Sequence, residues 1–184
     1  TINPVDNAEN LPADYLESLA NLPERMRRRF FDGSYTADDD NALLRRGWIK
    51  RDSLQQYGRV VVSLDPAVTN TIGSDETGII AAGIDAAGLG YLLEDASGKY
   101  KPEEWAKQAI ALYDTWGADR IVAEVNQGGD MVAAVIRAQR ADVPYTPVQA
   151  TRGKVVRAEP VAGLYERGKV FHVGEFPTLE DQLC

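Results

Sequence analysis

The feature that most constrains the fold is a series of three β-strand patterns separated by short connections. Residues 59–65 (RVVVSLD), 77–85 (TGIIAAGID) and 90–96 (GYLLEDA) are rich in β-branched and apolar residues. Neighbouring strands joined this closely are expected to be antiparallel, because a parallel pair needs a crossover of about a dozen residues or more. The three patterns therefore predict an antiparallel meander.

Alternating helices and strands are predicted after the meander. Pro102 in a first turn, with acids behind it and apolar residues at helical spacing, predicts a helix over residues 102–116. The later elements are a strand at 120–125, a helix at about 130–140, a strand at 145–149, a helical stretch at 158–168 and the run VFHV at 170–173. This order resembles the ribonuclease H-like α/β fold, a mixed sheet of three antiparallel strands and then parallel strands, with helices on both faces.

Residues 1–55 have a different character and are predicted to form a helical linker segment that precedes a domain of residues 56–184. Apolar residues at helical spacing run through residues 11–33, and Pro23 divides them into two short helices. An acidic, turn-rich stretch follows, and RRGWIKR then offers Trp48 and Ile49 for docking.

Composition is typical of a soluble globular protein, with 44% hydrophobic and 26% charged residues. No apolar run approaches the ~18 residues of a membrane span, so we expect no membrane association. The single cysteine, Cys184, excludes an internal disulfide and a cysteine-based zinc site. The N-terminal residues have no signal-peptide pattern.

Charge is unevenly distributed along the chain. The net charge of −8 argues against indiscriminate nucleic-acid binding. Basic residues nevertheless cluster at positions 25–29 and again at positions 152–169. Either cluster can be a solvated surface or a contact for phosphate groups, and the charge pattern leaves both interpretations open.

Two carboxylates end predicted strands. Asp65 follows VVVSL and precedes Pro66, and Glu124 lies at the end of the strand at 120–125. If these strands are parallel neighbours, both carboxylates meet at one edge of the sheet, where ligands of open α/β sheets bind. Two acids held close together repel each other unless a cation lies between them, and Mg²⁺ or Mn²⁺ suits oxygen ligands. The pair therefore predicts a divalent-metal site.

The other acids allow more than one interpretation. Asp75 can be a third contributor to the site, or it can bond to turn amides. Asp130 is well placed as the N-cap of a helix after Gly128 and Gly129. The only histidine, His172, has no nucleophile elbow to accompany it, which argues against a serine-histidine mechanism.

Several motifs resemble a known family. SLDPAVTN, SDETGII, WGADRIVAEVNQGGDMV and TRGKVVRAEPVAGLYERGKVFHVG, in this order, are similar to the C-terminal nuclease domain of the terminase large subunits of tailed phages and prophages. The likeness covers residues 57–184, and DNAENLPADYLESLANLPERMRRRFFDGSY resembles the segment between the ATPase and the nuclease of these packaging proteins. The resemblance implies a metal-dependent endonuclease that cuts concatemeric viral DNA.

The resemblance also implies a role for individual residues. Asp65 matches the first-strand catalytic aspartate, Glu124 the acid of the fourth strand, and Asp75 an auxiliary acid near the metals. Such nucleases bind two ions, Mg²⁺ or Mn²⁺; one activates a water and the other stabilises the leaving 3′ oxygen. Because the family carries a further aspartate in a motif that does not occur before Cys184, we expect an incomplete site and a piece that can be inactive.

The expected partners follow from the same resemblance. Arg152, Lys154 and Arg157 match a basic segment that would lie near the backbone of double-stranded DNA. The terminase small subunit and the portal are expected partners of the full-length protein, in the cytoplasm of a bacterial host. No Walker A motif occurs, so this piece is not expected to power packaging.

Two alternative functions stay open at the level of sequence. The first is a non-catalytic part of the packaging motor that contacts DNA or docks a partner. The second is a transposase- or resolvase-type nuclease, which uses similar acids on the same fold.

Overall fold

The computed structural model describes residue 12 and residues 44–53, 56–67, 76–125 and 129–184. By internal contacts the chain divides into two units, Thr1–Ala42 and Leu43–Cys184, and the elements below belong to the second. Apart from residue 12, the two helices predicted over residues 11–33 lie outside the described residues, as does Asp75. The predicted domain boundary between residues 55 and 56 stays a prediction.

Within the described ranges, seven strands form one mixed sheet in the order β1-β7-β4-β3-β2-β5-β6. The strands are β1 Lys50–Arg51, β2 Arg59–Asp65, β3 Gly78–Ile84, β4 Gly90–Asp95, β5 Arg120–Glu124, β6 Tyr145–Val148 and β7 Val170–His172. β2, β3 and β4 are antiparallel, whereas β5 runs parallel to β2 and β6 parallel to β5. The predicted meander and the parallel strands after it are confirmed.

The sheet is wider than predicted, because two very short strands join it beyond β4. β7 pairs with β4 and β1 pairs with β7, both in parallel. β1 follows a 3-10 turn at Arg46–Trp48 and lies in the stretch predicted as linker. Strands of two and three residues are too short to show the alternation by which a strand is recognised in sequence.

Four helices accompany the sheet in the described part: α1 Pro102–Thr115, α2 Gly129–Gln139, α3 Lys154–Glu166 and α4 Pro177–Leu183. α1 agrees with its prediction, beginning with Pro102 and burying Trp105, Ala109 and Leu112. Glu104 accepts a hydrogen bond from the backbone N–H of Lys101 at 2.8 Å, which satisfies the amide of the residue that precedes the helix. None of the described helices is long and apolar enough to cross a membrane.

The main core lies on one face of the sheet. Along β2 the buried residues alternate, with Val62 and Leu64 pointing into a core that also contains Ile79, Ile121 and Trp105. Each such side chain stabilises the fold by roughly 1.5–3 kcal/mol when fully buried. This packing fixes β2 and its two neighbours, and therefore the positions of the residues at their ends.

α3 is associated with the other face of the sheet. An apolar cavity of about 380 Å³ is lined by Val161 and Ala162 of α3 and by Ile80 and Ala82 of β3. Ile80 and Ala82 alternate with the core residues of β3, so they point away from α1. Helices on both faces of the sheet, as predicted, are therefore present.

α3 begins earlier than predicted. The expected helical stretch started at residue 158, two residues before Pro160, whereas the structure has the helix from Lys154 with Pro160 inside it. A proline at this position removes only one hydrogen bond of the helix, that to the carbonyl of Val156, at a cost of about 3 kcal/mol or more that packing has to offset. The earlier start puts Lys154 and Arg157 on the N-terminal part of a helix, in a stretch for which no helix was predicted.

A buried polar network connects α3 to β1, β7 and α4, and sequence analysis did not identify it. His172 is fully buried; its Nδ1 lies 2.8 Å from Glu180 Oε1 and its Nε2 lies 2.8 Å from the Tyr165 hydroxyl. Arg51 donates to both oxygens of Glu180, at 2.9 Å each. Such an Arg–carboxylate pair is among the stronger polar contacts of proteins.

The pKa values of this network define its protonation. Burial alone would raise the pKa of Glu180, but hydrogen bonds from Arg51 and His172 outweigh it and lower the pKa to about 2. Burial also lowers the pKa of His172 and raises that of Tyr165 to about 12. We therefore assign an ionised Glu180 that accepts from His172 Nδ1–H, and a neutral His172 whose Nε2 accepts from Tyr165.

We predict that Glu180→Gln lowers the free energy of unfolding at pH 7 by about 3 kcal/mol, because Arg51 and His172 lose their buried anion. The folded-state pKa of Glu180 lies below its ordinary 4.5, so its contribution is present above pH 4.5 and is lost as the pH falls towards 2. Urea denaturation at several pH values measures the difference between the two proteins.

The lowered pKa of His172 adds a loss of stability as the pH falls below 6.5, the ordinary pKa of histidine, because His172 is protonated more readily in the unfolded chain than in the folded one.

The matched control for Glu180→Gln is Glu166→Gln, which changes an exposed carboxylate at the end of α3 and should hardly alter the free energy of unfolding. The assignment would be contradicted if Glu180→Gln were as stable as wild type at pH 7. It would also be contradicted if the difference in the free energy of unfolding between the two proteins did not become smaller at acidic pH.

Candidate metal and nucleic-acid site

Asp65 is the last residue of β2 and lies at the edge of the sheet. Asp65 pairs with Gly78 of the antiparallel neighbour β3, and Gly78 has no side chain that could cover the Asp65 carboxylate. Leu64 before it is buried, and Pro66 after it cannot continue the hydrogen bonding of a strand. A rigid backbone thus presents an exposed carboxylate at this edge.

Glu124 lies beside Asp65. It ends β5, and the parallel register sets Leu64 against Ala123, so that Asp65 and Glu124 come next on adjacent strands. Leu64 and Ala123 both point into the core, and the two carboxylates therefore point to the opposite face, the one that α3 lines. The convergence expected for these two strand ends is present.

The electrostatics of Asp65 reflect this proximity. Burial of part of the carboxyl group is the largest cause of a raised pKa, and the negative charge of Glu124 is the next. Lys154 and Arg157 act in the opposite direction without cancelling the shift. The balance is a carboxylate pair whose mutual repulsion two nearby cations only partly relieve.

Arg157 contacts the pair directly. Its Nη1 donates to Glu124 Oε2 at 2.7 Å and its Nη2 reaches Glu124 Oε1 at 3.4 Å, an ion pair that links α3 to β5. Sequence analysis expected Arg157 at the DNA backbone and did not find this contact. The two residues are 33 positions apart, and α2 and β6 lie between their elements in the chain, so local spacing gives no signal of this contact.

The other predicted site residues are distributed as follows. Lys154 is exposed at the start of α3, and Arg152 is exposed just before it. Lys154 is close enough to lower the pKa of Asp65. Asp75 lies outside the described residues. Asp130 is exposed in the first turn of α2 rather than ahead of it as an N-cap.

The donor set suits a hard divalent cation. Two carboxylates, Asp65 and Glu124, offer oxygen ligands at one edge, which is the chemistry that Mg²⁺ and Mn²⁺ prefer. Among the residues that the structure describes, no group of three or more His, Cys, Asp or Glu side chains could hold a metal ion. The described residues thus offer two carboxylates that could hold a cation, and His172 is not available because both of its ring nitrogens are bonded within the network.

We predict that Glu124→Gln lowers the pKa of Asp65 towards its ordinary value, because the charge of Glu124 helps to raise it. A ¹³C NMR titration of the Asp65 carboxyl measures this. Asp142→Asn, which removes a carboxylate paired with Arg140 instead, is the control and should leave the titration unchanged. An Asp65 pKa that is the same with and without Glu124 would contradict the proximity of the two groups.

Comparison with known sequences gives one clear relationship. Residues 62–183 match the family described as Terminase RNaseH-like domain. This range includes Asp65, Glu124 and the start of α3. No curated protein sequence matches the chain.

Comparison with solved structures agrees with that family. The large terminase nuclease from thermophilic phage G20c is similar at 17% identity and a TM-score of 0.53, over 74% of this chain and 76% of that one. The same nuclease with bound cobalt is similar at 18% identity and a TM-score of 0.53, and with bound magnesium at 18% and 0.52, each over 79% of this chain and 80% of that one.

At these identities the solved structures establish the fold, which is the ribonuclease H-like fold that the sequence predicted. The family match covers well over half of the chain and extends from β2 to α4. The chain therefore belongs to the family of terminase RNaseH-like domains.

Proposed function

We propose that this chain contains the divalent-metal-dependent endonuclease domain of a viral DNA-packaging terminase, which hydrolyses phosphodiester bonds of concatemeric DNA. The observation that carries the proposal is the pairing of Asp65 and Glu124 at one edge of the sheet, next to the basic start of α3. A carboxylate pair can hold cations, and a basic helix end beside it can hold the phosphate to be cut.

Within this proposal, Asp65 and Glu124 hold Mg²⁺ or Mn²⁺, two ions in the complete site, with Asp75 as an auxiliary acid. Bound ions of this kind supply an activated water and stabilise the charge of the leaving oxygen. The chain's own contribution is position: β2 and β5 are fixed by their buried residues, so their terminal carboxylates keep one separation. The similar phage G20c nuclease, solved with bound cobalt and with bound magnesium, supports divalent cations here.

The proposed substrate is double-stranded DNA. Arg152 and Lys154 are exposed before and at the N-terminus of α3, where backbone N–H groups and the helix dipole also favour phosphate. Contacts of this kind position a duplex without reading its sequence. In the full-length protein, residues 1–55 would link the nuclease to an ATPase, with the small subunit and the portal as partners in the bacterial cytoplasm.

We predict that Asp65→Asn or Glu124→Gln, in the full-length protein, lowers Mn²⁺-dependent plasmid nicking by at least about 100-fold, because each removes a proposed ligand. Circular dichroism and the thermal midpoint check that the fold is retained. Glu166→Gln, on the far end of α3, should nick like wild type. Nicking at the wild-type rate in either site variant would show that the pair is not catalytic and would favour the docking role.

We also predict that Arg152→Gln and Lys154→Gln weaken binding to duplexes of unrelated sequence alike. Each lost phosphate contact should reduce the slope of log K against log salt by about 0.9. Fluorescence anisotropy at several salt concentrations measures both quantities. Lys107→Gln, which removes an exposed charge on α1, is the matched control. A loss confined to one sequence, or a slope that does not change, would argue against phosphate contacts at these residues.

A further inference from the structure

The ion pair between Arg157 and Glu124 occupies the carboxylate that the proposed function assigns to a metal ion. Both oxygens of Glu124 face the guanidinium, at 2.7 and 3.4 Å, and the Glu124 side chain is only 20% exposed. An Arg–carboxylate fork of this kind fixes the direction of both groups. The guanidinium therefore stands where a cation would approach Glu124.

Arg157 also acts on the second carboxylate. Its charge and that of Lys154 both offset the repulsion that Asp65 experiences from Glu124. The two basic residues differ in how they act, because Arg157 is hydrogen-bonded to Glu124 whereas Lys154 influences Asp65 through its charge. Arg157 thus serves the pair as an internal counter-ion.

A guanidinium that faces both oxygens of Glu124 disfavours a divalent ion at the same carboxylate, because the two cations repel each other at short range. A divalent ion bound by Glu124 would take over at least one oxygen from the guanidinium and would repel it at short range. Arg157 lies on the exposed N-terminal part of α3, beside Lys154, and its planar fork is as well suited to a phosphate as to a carboxylate.

We infer that Arg157 and a divalent cation compete for Glu124, so that Arg157 sets the affinity of the site for metal and is released towards the DNA phosphate when the metal binds. This inference rests on the proposed metal site and adds a regulation to it. Metal and phosphate each favour the released arginine, so each strengthens the binding of the other.

The test is a calorimetric titration with Mn²⁺, in the absence of DNA, of the complete nuclease domain as wild type and with the changes Arg157→Gln, Arg157→Lys and Lys154→Gln. Arg157→Gln should bind Mn²⁺ about tenfold more tightly, the order expected when a charge-assisted hydrogen bond no longer has to be broken. Lys154→Gln removes the same charge without the contact and should gain less than about threefold. Arg157→Lys, which keeps the charge and loses the fork, should lie between wild type and Arg157→Gln.

A second measurement tests the ion pair without metal. In EDTA, the thermal stabilities of Arg157→Gln, Glu124→Gln and the double variant should show coupling, since the two single changes break one contact. The same data reveal whether a variant has failed to fold, and Arg157→Lys then takes the place of Arg157→Gln in the titration. Independent, additive effects of the two changes would overturn the inference.

The outcomes separate this inference from the proposed function. Mn²⁺ binding that requires Asp65 and Glu124 but is unchanged or weaker in Arg157→Gln would overturn the competition and leave the metal site standing. Equal gains in Arg157→Gln and Lys154→Gln would also overturn it, since charge alone would then explain the effect. A third outcome is that the two changes are coupled in EDTA but neither wild type nor any variant binds Mn²⁺. That outcome would refute the metal site, and the inference with it.

Discussion

The site depends on the repulsion between two carboxylates that buried strands hold in adjacent register. Asp65 and Glu124 cannot move apart without disturbing Leu64 and Ala123, which belong to the main core. Burial and then the charge of Glu124 raise the pKa of Asp65, although Lys154 and Arg157 act to lower it. A cation relieves the repulsion between two such carboxylates, and Arg157 and Lys154 act in this direction within the protein.

Helix α3 supplies the protein's own cations, and its position depends on a second set of contacts at the other end. Tyr165 bonds to His172, which bonds to Glu180, which in turn is held by Arg51. The network therefore joins the segment before β2, the short edge strands and the C-terminal helix to the helix that bears Arg157. Contacts at the C-terminal end of α3 thus help to position the helix whose N-terminal part carries Lys154 and Arg157.

The sequence predicts those strands and helices whose apolar residues follow a regular period. The strands that end at Asp65 and Glu124 were predicted because a buried strand leaves a clear apolar pattern, and their adjacency followed from the order of elements. β1, α4 and the buried network were not predicted, because these elements are short and their contacts join distant residues. The run VFHV was noted at the position of β7, but its pairing with β4 was not predicted. The start of α3 lies four residues before the predicted one, and Pro160 lies inside the helix.

The sequence does not predict the pairing of Arg157 with Glu124, because an arginine is equally suited to a phosphate and to a carboxylate. The most direct test is the anomalous scattering of Mn²⁺ in crystals of the complete nuclease domain. The account predicts an ion bonded to carboxylate oxygens of both Asp65 and Glu124, at roughly 2.0–2.2 Å, with the Arg157 guanidinium moved off Glu124. Manganese bound elsewhere, or no manganese at a saturating concentration, would contradict it.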